Sequence, residues 1–225
     1  MNRIKLIILF LGFTAFTFAQ DKTQNLGDFT EIKVFNGLAV DIERSDKAKI
    51  EISGEKTNDV TIKNVNGKLK LSLKFPENFN PDKVKIKVFY NLDLITLDAN
   101  EGSAIFSYDT IKQEDITIKT QEGAYIKVPV EVKYLTIKSV TGASIKIRGI
   151  ATNQEVEVTT GGTYEAYDLI TEYADVVSAS GGKVEVTVSN LLDAKVRFGG
   201  NINYQGNPEK VNTKKIMGGT IKNKG

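Results

Sequence analysis

Hydrophobic and polar residues alternate along most of this chain, and in its second half the alternation recurs around a regularly spaced glycine. The glycines are 18 to 21 residues apart: Gly102, Gly123, Gly142, Gly161, Gly181, Gly199 and Gly218. Three residues after each glycine stands an apolar or aromatic residue: Ile105, Ile126, Ile145, Tyr164, Val184, Ile202 and Ile221. Five residues before it the chain is again apolar, except at Thr213: Leu97, Ile118, Ile137, Val156, Val176 and Ala194. A period of two is the pattern of β-strands, so each repeat predicts two short strands joined at a glycine corner.

The repeat predicts an all-β fold, a single-stranded β-helix or β-solenoid with coils of about 20 residues. Coils stacked about 4.8 Å apart share one core, which a single repeat is too small to build. We expect glycine at the corners because a sharp bend often needs positive φ and because stacked corners leave little room for a side chain. The alternative is an antiparallel β-sandwich, since regular hairpins also give two strands per 20 residues.

Outward-facing positions are also matched between the repeats. Six residues before the glycine the chain has Thr96, Thr117, Thr136, Glu155, Asp175 and Asp193, and four residues after it Lys127, Lys146, Glu165 and Glu185. In stacked coils these residues would form ladders, either as ordinary solvated strand faces or as an array that recognises a repeating polymer. The candidate binding residues are Lys127, Lys146, Thr117 and Thr136.

The first half of the chain predicts strands without the glycine repeat. Residues 20–28 are mostly polar and predict a flexible lead-in. Asn36-Gly37 and Asn66-Gly67 are signals for hairpin turns, so we expect local antiparallel pairing here, and the proline-containing segment 76–82 predicts a loop. Residues 29–225 are then one domain, whose N-terminal strands begin and cap the stack.

Residues 1–19 have the features of a secretory signal peptide. Arg3 and Lys5 precede an apolar stretch that is too short to cross a bilayer, and Ala19 ends a small-residue cleavage site. The chain contains no cysteine, so we expect export as a lipid-free protein to the periplasm, cell surface or medium. The formal net charge is +2, with no basic patch that contains aromatic residues, which argues against a nucleic-acid partner.

Composition removes most enzymatic mechanisms. The chain has neither histidine nor cysteine, which excludes Ser-His-Asp and Cys-His catalysis and histidine-ligated zinc, and we expect no cofactor and no metal. Carboxylate chemistry of the glycosidase type remains open for three pairs of residues: Glu114 with Asp115, Glu165 with Asp168, and Asp175 with Asp193.

Two segments resemble the head GIN domain family of auto-transporter adhesin-like proteins, which are abundant in Gram-negative bacteria. One segment runs from Gly199 to Pro208 and is similar to the Gly-x-Gly-x-Ile-x-Tyr-x-Gly-x-Pro ending of that family. The other is similar to the family's opening pattern and comprises Phe29, Ile32, Val34, Gly37, Leu38 and Val40. The resemblance covers about residues 29–221 and implies a β-helical exported protein, with no catalytic or binding residue to transfer.

We therefore expect a non-enzymatic cell-envelope protein that binds a glycan or a surface protein through an elongated sheet face. One alternative is a carbohydrate-active enzyme that uses two carboxylates on a β-helix scaffold. Another is a purely structural envelope component whose copies stack end to end.

Overall fold

The computed structural model describes residues 21–55, 57–74 and 84–225, so the predicted signal peptide 1–19 and loop 76–82 lie outside the described residues. Apart from a 3-10 turn at Thr57–Asp59, the regular structure is all strand. The strands are β1 (Lys22–Asn25), β2 (Glu31–Val34), β3 (Ala39–Arg44), β4 (Lys49–Gly54), β5 (Val60–Val65), β6 (Lys68–Leu73), β7 (Val84–Tyr90), β8 (Thr96–Ala99), β9 (Ala104–Phe106), β10 (Ile111–Thr120), β11 (Tyr125–Ser139), β12 (Ser144–Val158), β13 (Thr163–Ala179), β14 (Lys183–Arg197), β15 (Asn201–Gln205), β16 (Lys210–Ile216) and β17 (Thr220–Asn223). None of the described segments forms a helix that is long and apolar enough to cross a membrane.

From β8 onward the chain winds into parallel coils. β11 pairs in parallel with β10 and β9 on one side and with β12 on the other, and the same arrangement continues through β13 and β14 to β17. This pairing confirms the predicted β-solenoid, of about seven turns, and excludes the antiparallel sandwich.

Stacked columns of interior side chains form the core, as the alternation predicts, and two of these columns show the pattern. Ile118 lies opposite Leu97 and Ile137 in the neighbouring coils, and Ile145 lies opposite Ile126 and Tyr164. All five isoleucine and leucine side chains, and Tyr164 with them, are at most 1% exposed. Burying one such side chain stabilises the folded state by about 1.5–3 kcal/mol, so the stacked columns are the main source of stability.

Each coil turns sharply at a type I′ turn, in which two successive residues have positive φ. In the stacked corners the first residue has φ between 48° and 58° and the glycine between 69° and 84°. The pairs are Asn36-Gly37, Glu101-Gly102, Glu122-Gly123, Thr141-Gly142, Thr160-Gly161, Ser180-Gly181, Phe198-Gly199 and Met217-Gly218. At most corners the glycine N–H also donates a hydrogen bond to the next coil, as from Gly102 to the Glu122 carbonyl at 2.9 Å.

Glycine is favoured at the corner because of its positive φ and not because space is short. At the residue after it, lack of space restricts the size of the side chain. A β-carbon built at Gly102 or Gly161 meets nothing within 4 Å. A β-carbon at Gly162, the next residue, would lie 2.5 Å from the Ser139 carbonyl oxygen of the preceding coil. The small residues that follow the repeat glycines from Gly102 to Gly218 are therefore the ones that stacking selects.

The N-terminal half supplies the first coil and its cap. β2 and β3 pair in parallel with β8 and β9, and Gly37 donates to the Glu101 carbonyl like any other corner glycine. On the other side of this coil, β6 and β7 pair in parallel with β2 and β3. The antiparallel strands β5 and β4 then cover the outer edges of β6 and β7, and β1 pairs antiparallel with the far edge of β4.

Of the two predicted hairpin turns, one is confirmed and one is wrong. Asn66-Gly67 joins β5 to β6 as an antiparallel hairpin. Asn36-Gly37 is a coil corner, because β2 and β3 pair with the coils above and below and not with each other. The same I′ turn serves both geometries, so the dipeptide alone does not distinguish them.

The segment predicted as a flexible lead-in, residues 20–28, contains a strand. Lys22–Asn25 pairs antiparallel with β4 from Lys22 opposite Ile52 to Asn25 opposite Lys49. The edge of β4 offers backbone donors and acceptors, and pairing with them needs no apolar side chains, so the polar composition of the segment does not prevent it.

We predict that Thr160→Asn stabilises the protein. Thr160 is β-branched and has φ of 51°, a conformation that costs an ordinary residue about 1–2 kcal/mol and that asparagine tolerates. Urea unfolding is expected to show a gain of up to about 1 kcal/mol, whereas Thr159→Asn, next to the turn, gives none. Equal or lower stability of Thr160→Asn relative to the wild type would contradict the strain at this corner.

Candidate functional site

The predicted outward ladders exist on the surface of the solenoid. Thr117 lies opposite Thr96 and Thr136, and the column continues through Glu155 and Asp175 to Asp193. The column thus changes from hydroxyl to carboxylate side chains along the stack, on the strand segments that precede the corners.

A second column runs beside the carboxylates and contains two tyrosines. Tyr134 lies opposite Asn153, and Asn153 lies opposite Tyr173, so the two rings are two coils, or about 10 Å, apart. Their side chains are 46% and 42% exposed. Between the two columns is an open groove of about 330 Å³, which we call the tyrosine groove and define by Tyr134, Thr136, Glu155, Tyr173, Asp175 and Asp193.

A buried polar network supports the floor of this groove. Gln154 replaces an apolar residue in the inward column between Leu135 and Ala174, and it is 3% exposed. Its amide nitrogen donates to the Thr171 hydroxyl at 2.9 Å, and its carbonyl accepts from the Tyr164 hydroxyl at 3.1 Å. Burial raises the pKa of the Tyr164 hydroxyl, so it stays protonated and remains a donor. The network therefore fixes Gln154 from inside the core.

A second concavity lies on the strand segments that follow the corners. It has a volume of about 260 Å³, and we call it the lysine pocket and define it by Phe106, Tyr108, Lys127, Lys146, Arg148 and Asp168. Phe106 lies opposite Lys127, and Lys127 lies opposite Lys146, so the rim is one ladder over three coils. Asp168 belongs to a bulge, because β13 has one residue more than β12 between the pairs Lys146–Glu165 and Gly149–Leu169.

The two lysines of this pocket differ in their partners. Lys146 lies 3.3 Å from a Glu165 carboxylate oxygen, and the hydrogen bond to Glu165 raises the pKa of the Lys146 ammonium group. Both groups are nearly half exposed, so the pair contributes little to stability. Lys127 has no ion pair within the described ranges. Its positive charge is therefore available to a ligand.

The structure separates the four candidate binding residues into two places. Lys127 and Lys146 line the lysine pocket, Thr136 lines the tyrosine groove, and Thr117 lies one coil away on the same ladder. Nothing in the structure brings the lysines and the threonines together at one site.

The candidate carboxylate pairs also lie at separate places on the surface. Asp175 and Asp193 are register neighbours in the groove, and Asp193 accepts a hydrogen bond from the Asn212 amide at 2.6 Å. Glu114 lies 3.8 Å from the Lys133 ammonium group, beside Asp115. In the part of the chain that the structure describes, no three carboxylates converge in a metal-binding cluster.

The two groove tyrosines were not among the predicted site residues, although the sequence carries a signal for them. Tyr134, Asn153 and Tyr173 each stand eight residues before a corner glycine, so they occupy one more matched column. The column was not apparent because its residue types differ, with an amide between two phenols.

Comparison with known proteins gives one family and several similar folds. Residues 28–208 match the family model described as "Putative auto-transporter adhesin, head GIN domain". A crystal structure of a "putative adhesin" from Bacteroides fragilis has a TM-score of 0.83 at 20% identity, over 92% of this chain and 97% of that chain. A "putative lipid binding protein" from Parabacteroides distasonis gives a TM-score of 0.69 at 19% identity, also over 92% and 97% of the two chains. A "putative adhesin" from Parabacteroides merdae gives 0.71 at 19% identity, over 92% and 96%. No curated protein matches this chain. At these identities the likeness to the solved structures shows the fold alone.

We predict that Tyr164→Phe destabilises the protein, because it leaves the buried Gln154 carbonyl without its donor. An unsatisfied buried acceptor costs about 1–3 kcal/mol, and the ring itself keeps its packing. Urea unfolding measures the change, with Tyr167→Phe, a partly exposed tyrosine of the same strand, as the matched control. Equal stabilities of the two variants would show that the Tyr164 hydroxyl does not support the groove floor.

Proposed function

Because this chain belongs to the head GIN domain family, we propose that it is a non-enzymatic, adhesin-like protein of the cell envelope that binds a glycan along the tyrosine groove. The observation that carries the proposal is the pair of exposed tyrosines, two coils apart, beside a continuous column of carboxylates. Adhesion requires an exposed surface of this kind, and the family membership makes adhesion the first function to test.

The residues of the groove suit a sugar polymer. A phenol ring offers an apolar face to the C–H face of a pyranose and a hydroxyl group to solvent or ligand. Glu155, Asp175 and Asp193 accept hydrogen bonds from sugar hydroxyls, and the Asn153 amide both donates and accepts. Because coils repeat at a fixed spacing, a ring recurs at every second coil and a carboxylate in three successive coils, as a polymer with a repeating unit requires.

Charge narrows the choice of polymer. Three carboxylates lie in adjacent coils of the groove, so a polyanion would meet like charges about 5 Å apart. We therefore assign an uncharged glycan to this groove. The polar, open lining also disfavours an acyl chain, which needs an enclosed apolar site.

We expect the purified protein to bind neutral oligosaccharides, such as cello-, xylo- or chito-oligosaccharides, in a way that depends on the groove tyrosines. Tyr134→Ala and Tyr173→Ala should each weaken the affinity about tenfold or more, because each removes a stacking face. Isothermal titration calorimetry measures the change. Phe198→Ala is the control, since Phe198 is an aromatic residue that is 56% exposed and lies outside both the groove and the lysine pocket.

Two results would contradict this proposal. One is the absence of binding to any neutral oligosaccharide, or equal weakening by the Phe198 control. The other is release of reducing ends that Asp175→Asn or Asp193→Asn abolishes, which would make the adjacent carboxylates a hydrolytic pair and the protein an enzyme.

We also propose that the mature protein lies at the outer cell surface, on the basis of the family and the predicted signal peptide 1–19. Protease shaving of intact producing cells should then remove the protein while a periplasmic control protein survives, as detected by immunoblotting. Survival until the outer membrane is opened would place the protein in the periplasm and remove adhesion as its function.

A further inference from the structure

The lysine pocket has a chemistry opposite to that of the tyrosine groove, and we infer that it binds an acidic sugar, with the anionic group of the sugar held by Lys127 and Arg148. The two sites lie on different strand segments of the coils and share no residue. The inference is therefore independent of the function proposed for the groove.

The first argument is the unbalanced charge of the pocket. Its lining contains three cations, Lys127, Lys146 and Arg148, and one carboxylate, Asp168. Glu165 neutralises Lys146 from outside the lining. Within the described residues, neither Lys127 nor Arg148 has a carboxylate at ion-pairing distance. Against the two carboxylates Asp168 and Glu165, the three cations leave a net positive charge, and among the described residues neither Lys127 nor Arg148 has its own ion-pair partner.

The second argument is the position of these two cations. Lys127 and Lys146 are register neighbours, and Arg148 follows Lys146 by two residues, so Lys127 and Arg148 are diagonal neighbours on adjacent strands. Like charges at this separation repel each other, and an anion placed between them removes the repulsion. A guanidinium group also offers paired donors that match a carboxylate or a sulfate.

The third argument is the apolar part of the lining, which indicates more than a simple anion. Phe106 lies beside Lys127, and its ring meets the Tyr125 ring edge to face, with 5.9 Å between the centroids. Tyr108 and Pro129 complete this side of the pocket. Such walls suit the C–H face of a sugar ring. The volume of about 260 Å³ is below the roughly 300–1,000 Å³ of pockets that enclose drug-sized ligands, which fits a single ring.

Binding of a hexuronate oligomer to the full mature chain tests the inference. We expect trigalacturonate to bind and galactotriose, its uncharged counterpart, to bind at least about tenfold more weakly. Lys127→Gln and Arg148→Gln should each weaken trigalacturonate binding by a similar factor, and added salt should weaken it further in the wild type. Lys183→Gln, which removes a lysine of the same sheet outside the pocket, should leave the affinity unchanged.

Control variants and competitors identify the site and the ligand chemistry. Tyr134→Ala and Tyr173→Ala should keep full trigalacturonate affinity, so a failure of the groove proposal is distinguishable from a failure here. A sulfated galactose oligomer that binds as well as trigalacturonate would support an acidic sugar in general. Inorganic sulfate that competes with equal affinity would overturn the role of the ring. Absence of trigalacturonate binding, or equal weakening by Lys183→Gln, would overturn the site.

Discussion

Stacked corner turns govern this structure. At most corners the glycine N–H donates to the carbonyl of the corner in the next coil, and the flanking strands pair in register on either side. These bonds hold only if every coil makes its I′ turn at the same place, which fixes the position of each residue relative to its counterparts above and below. A residue's distance from the corner glycine then decides whether its side chain enters a core column or a surface ladder. Core, surface and candidate sites all follow from this register.

The regular part of the fold could be predicted from sequence because residues at the same distance from a corner glycine are also paired in the sheet. Ile126, Ile145 and Tyr164 align in the sequence and stack in the structure. The corner of the first coil, Asn36-Gly37, was wrongly predicted as a hairpin turn because 65 residues separate Gly37 from Gly102, and the strands of the cap lie between them. Spacing carries no information across such an insertion. β1 escaped prediction for another reason, since an edge strand that pairs only through its backbone leaves no hydrophobic pattern.

The candidate sites could be predicted only in part. The alternation of side chains along each strand and the distance from the corner glycine are enough to predict the ladders that contain Thr136 and Lys127. The groove also depends on Tyr134 and Tyr173, which share a column with Asn153, and on Gln154, a polar residue at an inward position. The lysine pocket depends on the bulge that carries Asp168, one residue beyond the regular repeat. Gln154 and the bulge are local departures from the repeat, and a periodic pattern cannot indicate where it is broken. The tyrosines keep the period, but an amide side chain separates them in their column.

The order of the strands along the chain differs from their order in the stack. β2 and β3 come first in the chain, yet their neighbours in the stack are β6 and β7 on one side and β8 and β9 on the other. During synthesis or export the first coil therefore gains its neighbour on one side only after Tyr90, and its neighbour on the other side only after Phe106. Every later coil, in contrast, directly follows its pairing partner in the chain, so the strand edge with which it pairs is already present. The molecule thus has one non-local closure near its beginning, whereas beyond Phe106 the order of coils in the stack is their order in the chain.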